Sequence, residues 1–315
     1  LTDLTYAAVK ASVRKGGLFT NQQLIDLASS RDLKDLLNRL KEKYPCLVNV
    51  PPSLVALEGA LIKSYADEID EFARAAQDIS PILMMARREV QEWEAVDLLK
   101  VQLGIIPQET TEGQKRVSKE EALGRLSAGG FIREANEATR VYEKYKVPAL
   151  IDSVFARARI LRMMDEKLEM DDDVLEGLKE YLRLKVDFFN LDTLLRGIRN
   201  NIDHKALEEL LIYRGGSLSS QLLKEALKQP DLDKVLSLLE SAGLPKVDSP
   251  RALERVYEGR VSKMMSKTYY SGYVDTGAIL GYLELRFREI KDIIRIANAV
   301  SRNIDPKRIA QDFIF

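Results

Sequence analysis

A chain of 315 residues is longer than one ordinary hydrophobic core supports, so two or three subdomains of roughly 100 residues are expected. Its composition, 45% apolar and 31% charged with only 10 Pro and 17 Gly, is that of a helical globular protein. The 48 basic and 49 acidic residues nearly cancel, which removes the basic excess that a general nucleic-acid or anionic-lipid binder needs.

In chain order, residues 2–15 read as a helix stopped by Gly16-Gly17, because glycine takes the left-handed position after a helix cheaply. Thr20-Asn21-Gln22-Gln23 is a capping box, and two short amphipathic helices follow at about 20–29 and 31–43. Residues 53–76 carry Leu54, Leu57, Leu61, Tyr65 and Ile69 at helical steps. Ser80-Pro81 opens the next helix as N-cap and first-turn proline. The polar stretch 107–117 reads as a linker. Ser118 to Glu121 forms a second capping box, and Gly129-Gly130 a second glycine pair. A long helix spans about 149–167, and the acidic run Asp171-Asp172-Asp173 precedes another that ends at Asn200-Asn201-Ile202-Asp203. Asp203 is placed to cap a helix at 204–213, which ends at Gly215-Gly216. Helices follow at about 219–228 and 231–242, and a long one begins at Arg251 and breaks at Tyr269–Tyr273. After the last long helix, Asp305-Pro306 opens a short tail ending Phe313-Ile314-Phe315.

One segment recurs along this order. Glu94 to Lys100, Asn190 to Arg196 and Glu289 to Arg295 align, the second lying 96 residues and the third a further 99 along the chain. The glycine pairs, and the Ala-Leu pairs at 56–57, 149–150 and 252–253, repeat in the same order. The period far exceeds the 20–50 residues of solenoid repeats, so three related units are expected at 1–107, 108–203 and 204–315. In the later copies Leu184, Phe188, Leu191, Leu195 and Ile198, and Leu283, Phe287, Ile290, Ile294 and Ala297, form one apolar stripe, with charges such as Glu284, Arg288, Lys291 and Arg295 opposite. In the first copy Arg88 and Gln102 interrupt that stripe.

Reactive chemistry is sparse. His204 is the only histidine, which removes histidine clusters and leaves a solvated residue at a helix start. Cys46 is the only cysteine, so an intrachain disulfide framework is impossible; a small buried apolar role and a reducing, cytoplasmic compartment are expected. There is no phosphate-loop motif, and the aspartate run lacks calcium-loop spacing. Met84-Met85, Met163-Met164 and Met264-Met265 read as core filler. No stretch comes near the ~18 consecutive apolar residues of a bilayer span, and no signal peptide is visible. The expectation is no catalytic, cofactor or metal residue, and hence a structural or coupling component. A generic helical scaffold and an all-α enzyme with a carboxylate site are the alternatives these residues leave open.

Tyr6-Ala7-Ala8-Val9-Lys10-Ala11-Ser12-Val13-Arg14 running into Gly16-Gly17, Val186-Asp187-Phe188-Phe189-Asn190-Leu191, Gly215-Gly216 and the run Glu284–Asp305 together resemble the C subunits of the archaeal and bacterial V/A-type rotary ATPases, whose eukaryotic relatives are the d subunits of V-type ATPases. The resemblance covers essentially the whole chain. It implies an all-α funnel of three similar subdomains about a pseudo-threefold axis. It also implies a non-catalytic rotor subunit, one per complex, peripheral on the cytoplasmic face of the membrane. Such a subunit joins the central shaft of subunits D and F to the membrane rotor ring and carries torque; neither nucleic acid nor a cofactor is implied. Arg14, Lys15 and Arg214, beside the first and third glycine turns, are the candidate partner contacts. The simpler account of the three is that cations favour helix C-termini.

Overall fold

The computed structural model describes residues 3–105, 118–168, 172–229, 231–247, 249–271 and 276–309. The expected linker at 107–117, Asp171, Gly272, Tyr273 and Phe313–Phe315 lie outside these. Among the described residues the fold is all-α. The helices are α1 (Asp3–Lys15), α2 (Asn21–Ala28), α3 (Leu33–Leu40), α4 (Leu54–Ala75), α5 (Ser80–Gln102), α6 (Lys119–Ala128) and α7 (Ile132–Tyr145). They continue as α8 (Ala149–Asp165), α9 (Asp172–Arg199), α10 (His204–Leu210), α11 (Ser220–Leu227), α12 (Leu232–Ser241), α13 (Pro250–Ser271) and α14 (Thr276–Ser301). The chain divides into two compact units, Leu1–Met84 with Leu168–Tyr181 and Glu254–Phe315, and Met85–Lys167 with Leu182–Leu253.

Local chemistry sets most helix ends. Thr20 caps α2 in a reciprocal box with Gln23, and Asp32, Ser53, Ser118, Asp203, Ser219 and Asp231 each accept a first-turn N–H. Two helix starts differ from expectation. Glu121 does not complete the box at Ser118, because its carboxylate pairs with Arg125 at 2.8 Å. Ser80 is itself helical and does not cap α5, because a 3-10 turn at Gln77–Ile79 already leads the chain in.

The glycine turns are not alike. Gly130 and Gly215 have φ of 68° and 78°, whereas Gly16 and Gly17 do not adopt positive φ. There α1 ends instead in tightened turns, with Gly16, Gly17 and Leu18 donating to carbonyls three residues back. The long helices α5, α9 and α14 share another stop. A left-handed residue, Gly104, Asn201 or Asn303, is followed by an isoleucine whose N–H bonds five residues back.

The first unit is built on α14, against which α1, α2, α3 and α4 pack. Tyr65 stacks on Phe287 at 5.0 Å and donates to the Leu283 carbonyl at 3.1 Å, and Phe72 meets Tyr282 at 5.8 Å. This helix is not one apolar stripe with a wet polar face. Every residue from Thr276 to Glu284 is buried, as are Glu289, Asp292 and Ile293. Of the charges expected on the outer face, Glu284 is buried and accepts from Arg288 at 3.1 Å and Tyr181 at 3.2 Å. Arg288 also lies 4.6 Å from the Tyr257 ring, and Lys291 lies over Phe287. Arg295 alone of the four is exposed, and it meets Asp292 and Glu254. Helices pack on several sides of α14, so most of its charges are neutralised internally.

In the second unit α7 packs on α8, α8 on α10, and α10 on α11. Ile160, Val186, Phe189 and Ile212 form a buried cluster with Ala156, Leu161 and Met164 around it. On α9, Leu191, Leu195 and Ile198 are buried while Leu184 and Phe188 are half-buried, and Lys185, Asp187, Asn190 and Thr193 are buried too. Cys46 is exposed, contrary to expectation. It sits mid-turn in the 3-10 segment Pro45–Leu47, whose neighbours Tyr44 and Leu47 take the inward positions. Met163, Met264 and Met265 are core residues, but Met84 is exposed.

The seating of α14 gives an opposed pair of expectations. A Cβ on Gly277 would lie 3.0 Å from the Gly177 carbonyl oxygen, so backbone would have to move. Gly277→Ala is expected to lower stability by about 1–3 kcal/mol. Gly59→Ala, inside α4 with nothing within 4 Å of the new Cβ, is expected to raise it by about 0.5–1 kcal/mol. Thermal melts of the two variants check the signs; equal signs would contradict the packing described.

Candidate functional site

The segment Val186–Leu191 is where sequence signal and geometry coincide. On α9, Asp187 and Asn190 are one helical turn apart and face the chain that follows α10. Asp187 accepts from the Ser217 N–H at 2.8 Å, the Leu218 N–H at 3.1 Å and the Ser217 hydroxyl. Asn190 donates to the Ile212 carbonyl and accepts from the Ile212 N–H, both at 2.8 Å. This explains why α10 stops at Leu210, three residues before its expected end. Leu211 is extended because the next backbone unit is held by a side chain, not by a helical turn. The glycine pair fits the same clamp. A Cβ on Gly216 would stand 2.5 Å from the Asp187 carboxylate, and Gly215 supplies the positive φ.

In α14, Glu289 occupies the motif position of Asn190 and performs the matching task on the first glycine turn. Its carboxylate accepts from the Phe19 N–H, from Lys43 at 2.8 Å, and from Tyr44 and Arg286 at 2.6 Å each. Arg286 continues to Glu68 at 3.3 Å, and Tyr282 donates to Glu68 at 2.6 Å. Arg14 meets Glu68 at 2.8 Å and Glu71 at 2.9 Å, and Lys10 completes the set on Glu71. Burial and the neighbouring Glu289 carboxylate push the Tyr44 phenol far above its usual range, and burial with Glu68 does the same to Tyr282, so both are hydrogen-bond donors. Burial lowers Lys43 below the ordinary lysine value despite Glu289.

The second glycine turn has its own anchor. Arg88 on α5 donates to the Gly130 carbonyl and lies 4.2 Å from the Phe131 ring. Arg88, one of the two residues that interrupt the apolar stripe, is therefore the one that holds this turn. Nearby, Arg159 bonds Glu92 at 2.8 Å and Glu89 at 2.6 Å, and buried Glu134 pairs with Arg162. Against the Arg159 charge, burial dominates and raises the Glu92 carboxyl.

The three candidate partner contacts fall in different settings. Arg14 is committed to Glu68 and Glu71. Lys15 turns inward, donating to the Ser262 carbonyl at 3.1 Å and approaching the Ser266 hydroxyl at 3.5 Å; burial lowers its pKa. Arg214, in the second unit, forms an exposed two-oxygen pair with Asp165 at 2.7 and 2.9 Å. His204 is exposed. Among the described residues no group of His, Cys, Asp or Glu could hold a metal ion. Sequence reasoning missed Glu68, Glu71 and Asp165. Nothing local distinguishes them from solvated acids, although Glu68 and Glu71 lie one helical turn apart on α4.

Asp187→Ala strands two turn amides and is expected to cost about 2–4 kcal/mol, with Asp187→Asn costing less because one acceptor oxygen stays; denaturant midpoints decide. For Glu71, burial works upward, but hydrogen bonds from Lys10 and Arg14 overcome it and hold the carboxyl below its ordinary value of 4.5. Its contribution is thus present above pH 4.5 and lost as pH falls through the folded value. The melting-temperature gap between wild type and Glu71→Gln should narrow in that acid range.

Known proteins resemble this chain over nearly its whole length. A profile of the ATP synthase (C/AC39) subunit family matches residues 7–312. The chain is 22% identical to the C subunit of the A-type ATP synthase of Methanosphaera stadtmanae, over 94% of this chain and 83% of that protein. Against its counterpart from Thermococcus gammatolerans, also an A-type ATP synthase C subunit, the identity is 23%, over 98% and 89%. Against that of Thermococcus kodakarensis it is 22%, over 98% and 90%. With a profile match spanning nearly its whole length, the chain belongs to the ATP synthase (C/AC39) subunit family.

Proposed function

We propose that this chain is a non-catalytic central-stalk subunit of a V/A-type proton- or sodium-translocating ATPase or ATP synthase. In this reading it sits on the cytoplasmic face of the membrane, one copy per complex. It joins the shaft made of subunits D and F to the membrane rotor ring and transmits torque between them. The observation that carries the proposal is the family match over residues 7–312.

Physical features support it. A torque coupler needs stiffness, and long helices whose intervening turns are pinned by buried polar groups supply it. The role needs no reactive pocket, and the polar groups of the site are engaged with turn backbone or with one another. No helix among the described residues is long and apolar enough to cross a membrane, which suits peripheral attachment. The division into three related units, 1–107, 108–203 and 204–315, belongs to the same proposal. It is supported by three glycine turns, each anchored from a motif helix, and by the shared stop of α5, α9 and α14. Arg14, Lys15 and Arg214 remain the proposed partner contacts, with Arg214 the most accessible of the three.

The test is preparative. The chain should co-purify from membranes with rotor-ring and shaft subunits. Stripping it from the complex should leave ATP hydrolysis in the detached head and abolish ATP-driven ion pumping, with re-addition restoring it. Pumping that survives stripping overturns the coupling role. Charge reversal at Arg14, Lys15 and Arg214 together should weaken binding to shaft or ring.

A further inference from the structure

The first compact unit is assembled from both ends of the chain. Its central helix, α14, lies more than 200 residues downstream of α1 and α4 yet packs against both. What joins them is a single connected polar network, not a set of separate pairs. Glu289 on α14 holds the Phe19 amide after α1 and Lys43 and Tyr44 after α3. Arg286 and Tyr282, on the same helix, reach Glu68 on α4, and Glu68 is shared with Arg14 on α1. The side chains of Glu289, Arg286 and Glu68 are 4%, 13% and 12% exposed, so an unpaired member would be a desolvated charge.

We propose that this network is a clasp that makes α1, α4 and α14 open and close as one cooperative element. Withdrawing any one helix removes partners from charges on what remains. If α14 leaves, Lys43 and Glu68 lose Glu289, Arg286 and Tyr282. If α1 leaves, Glu68 and Glu71 lose Arg14 and Lys10. Partial opening therefore leaves desolvated charges short of partners, a penalty that the closed and fully open states avoid. The aromatic contacts of Tyr65 with Phe287 and Phe72 with Tyr282 join α4 to α14 and reinforce that part of the coupling. A direct consequence is that the first helix of the chain becomes native only when the last long helix is seated.

Hydrogen exchange on the full-length chain tests this and does not depend on the proposed rotor role. Wild type is compared with Glu289→Gln and, as a reference in the other unit, Asp187→Asn. Under native conditions Glu289→Gln is expected to speed exchange by a common factor of at least about tenfold in peptides from α1, α4 and α14, leaving α7, α8 and α11 unchanged. Asp187→Asn should leave α1, α4 and α14 unchanged. Faster exchange confined to α14 and the Phe19 turn, or equal acceleration across the whole chain, overturns the clasp. Should Glu289→Gln fail to fold, wild type in rising denaturant still decides. A shared opening free energy for α1, α4 and α14 supports the clasp, and α1 opening well below α14 refutes it.

Discussion

A buried carboxylate accepting from backbone amides is the interaction on which most of this structure depends. Asp187 and Glu289 each take the N–H groups of a turn that no helix or sheet can satisfy. A turn buried without such a partner would leave donors unpaired at a cost of about 1–3 kcal/mol each. The carboxylate fixes the turn, the turn fixes the directions of the helices on either side, and those helices supply the apolar packing. Arg88 solves the inverse problem at Gly130 by donating to a carbonyl. Three turns of similar sequence are thus held by two carboxylates and one guanidinium. The requirement is a satisfied backbone, not a particular residue.

The same requirement explains why α14 is so unlike an ordinary surface helix. A helix surrounded by neighbours cannot segregate its charges onto a wet face. Its polar residues must find partners inside, and they do so with Tyr44, Glu68, Glu254, Glu258 and Tyr181 from four other helices and turns. Replacing such groups by well-packed apolar ones is often neutral for stability. Here they also specify which turn sits against which helix, a choice that apolar contact alone does not make.

The chain is a member of the ATP synthase (C/AC39) subunit family, and its polar residues take part in its construction. Some of its buried polar residues, such as Asp187, Asn190 and Glu289, hold backbone, and others, such as Tyr44, Tyr282 and Glu68, hold one another's side chains. Arg14, a basic residue at a helix end, belongs to an internal network with Glu68 and Glu71, and Arg214 holds an exposed pair with Asp165.

The sequence by itself determined the helical class, most helix starts and the family. These are local properties, decided by caps and apolar spacing within a few residues. It also marked Val186–Leu191 and the glycine pairs as important without saying why. The tertiary structure decided what those residues do. That Asp187 clamps Ser217, that Glu289 reaches Phe19, and that Glu284 is buried while Cys46 is exposed depend on groups brought together from 30 to 270 residues apart. Helical periodicity tells which side of a helix is apolar. It carries no information on how many sides are covered, and burial of the remaining charges is set only when distant helices close around them.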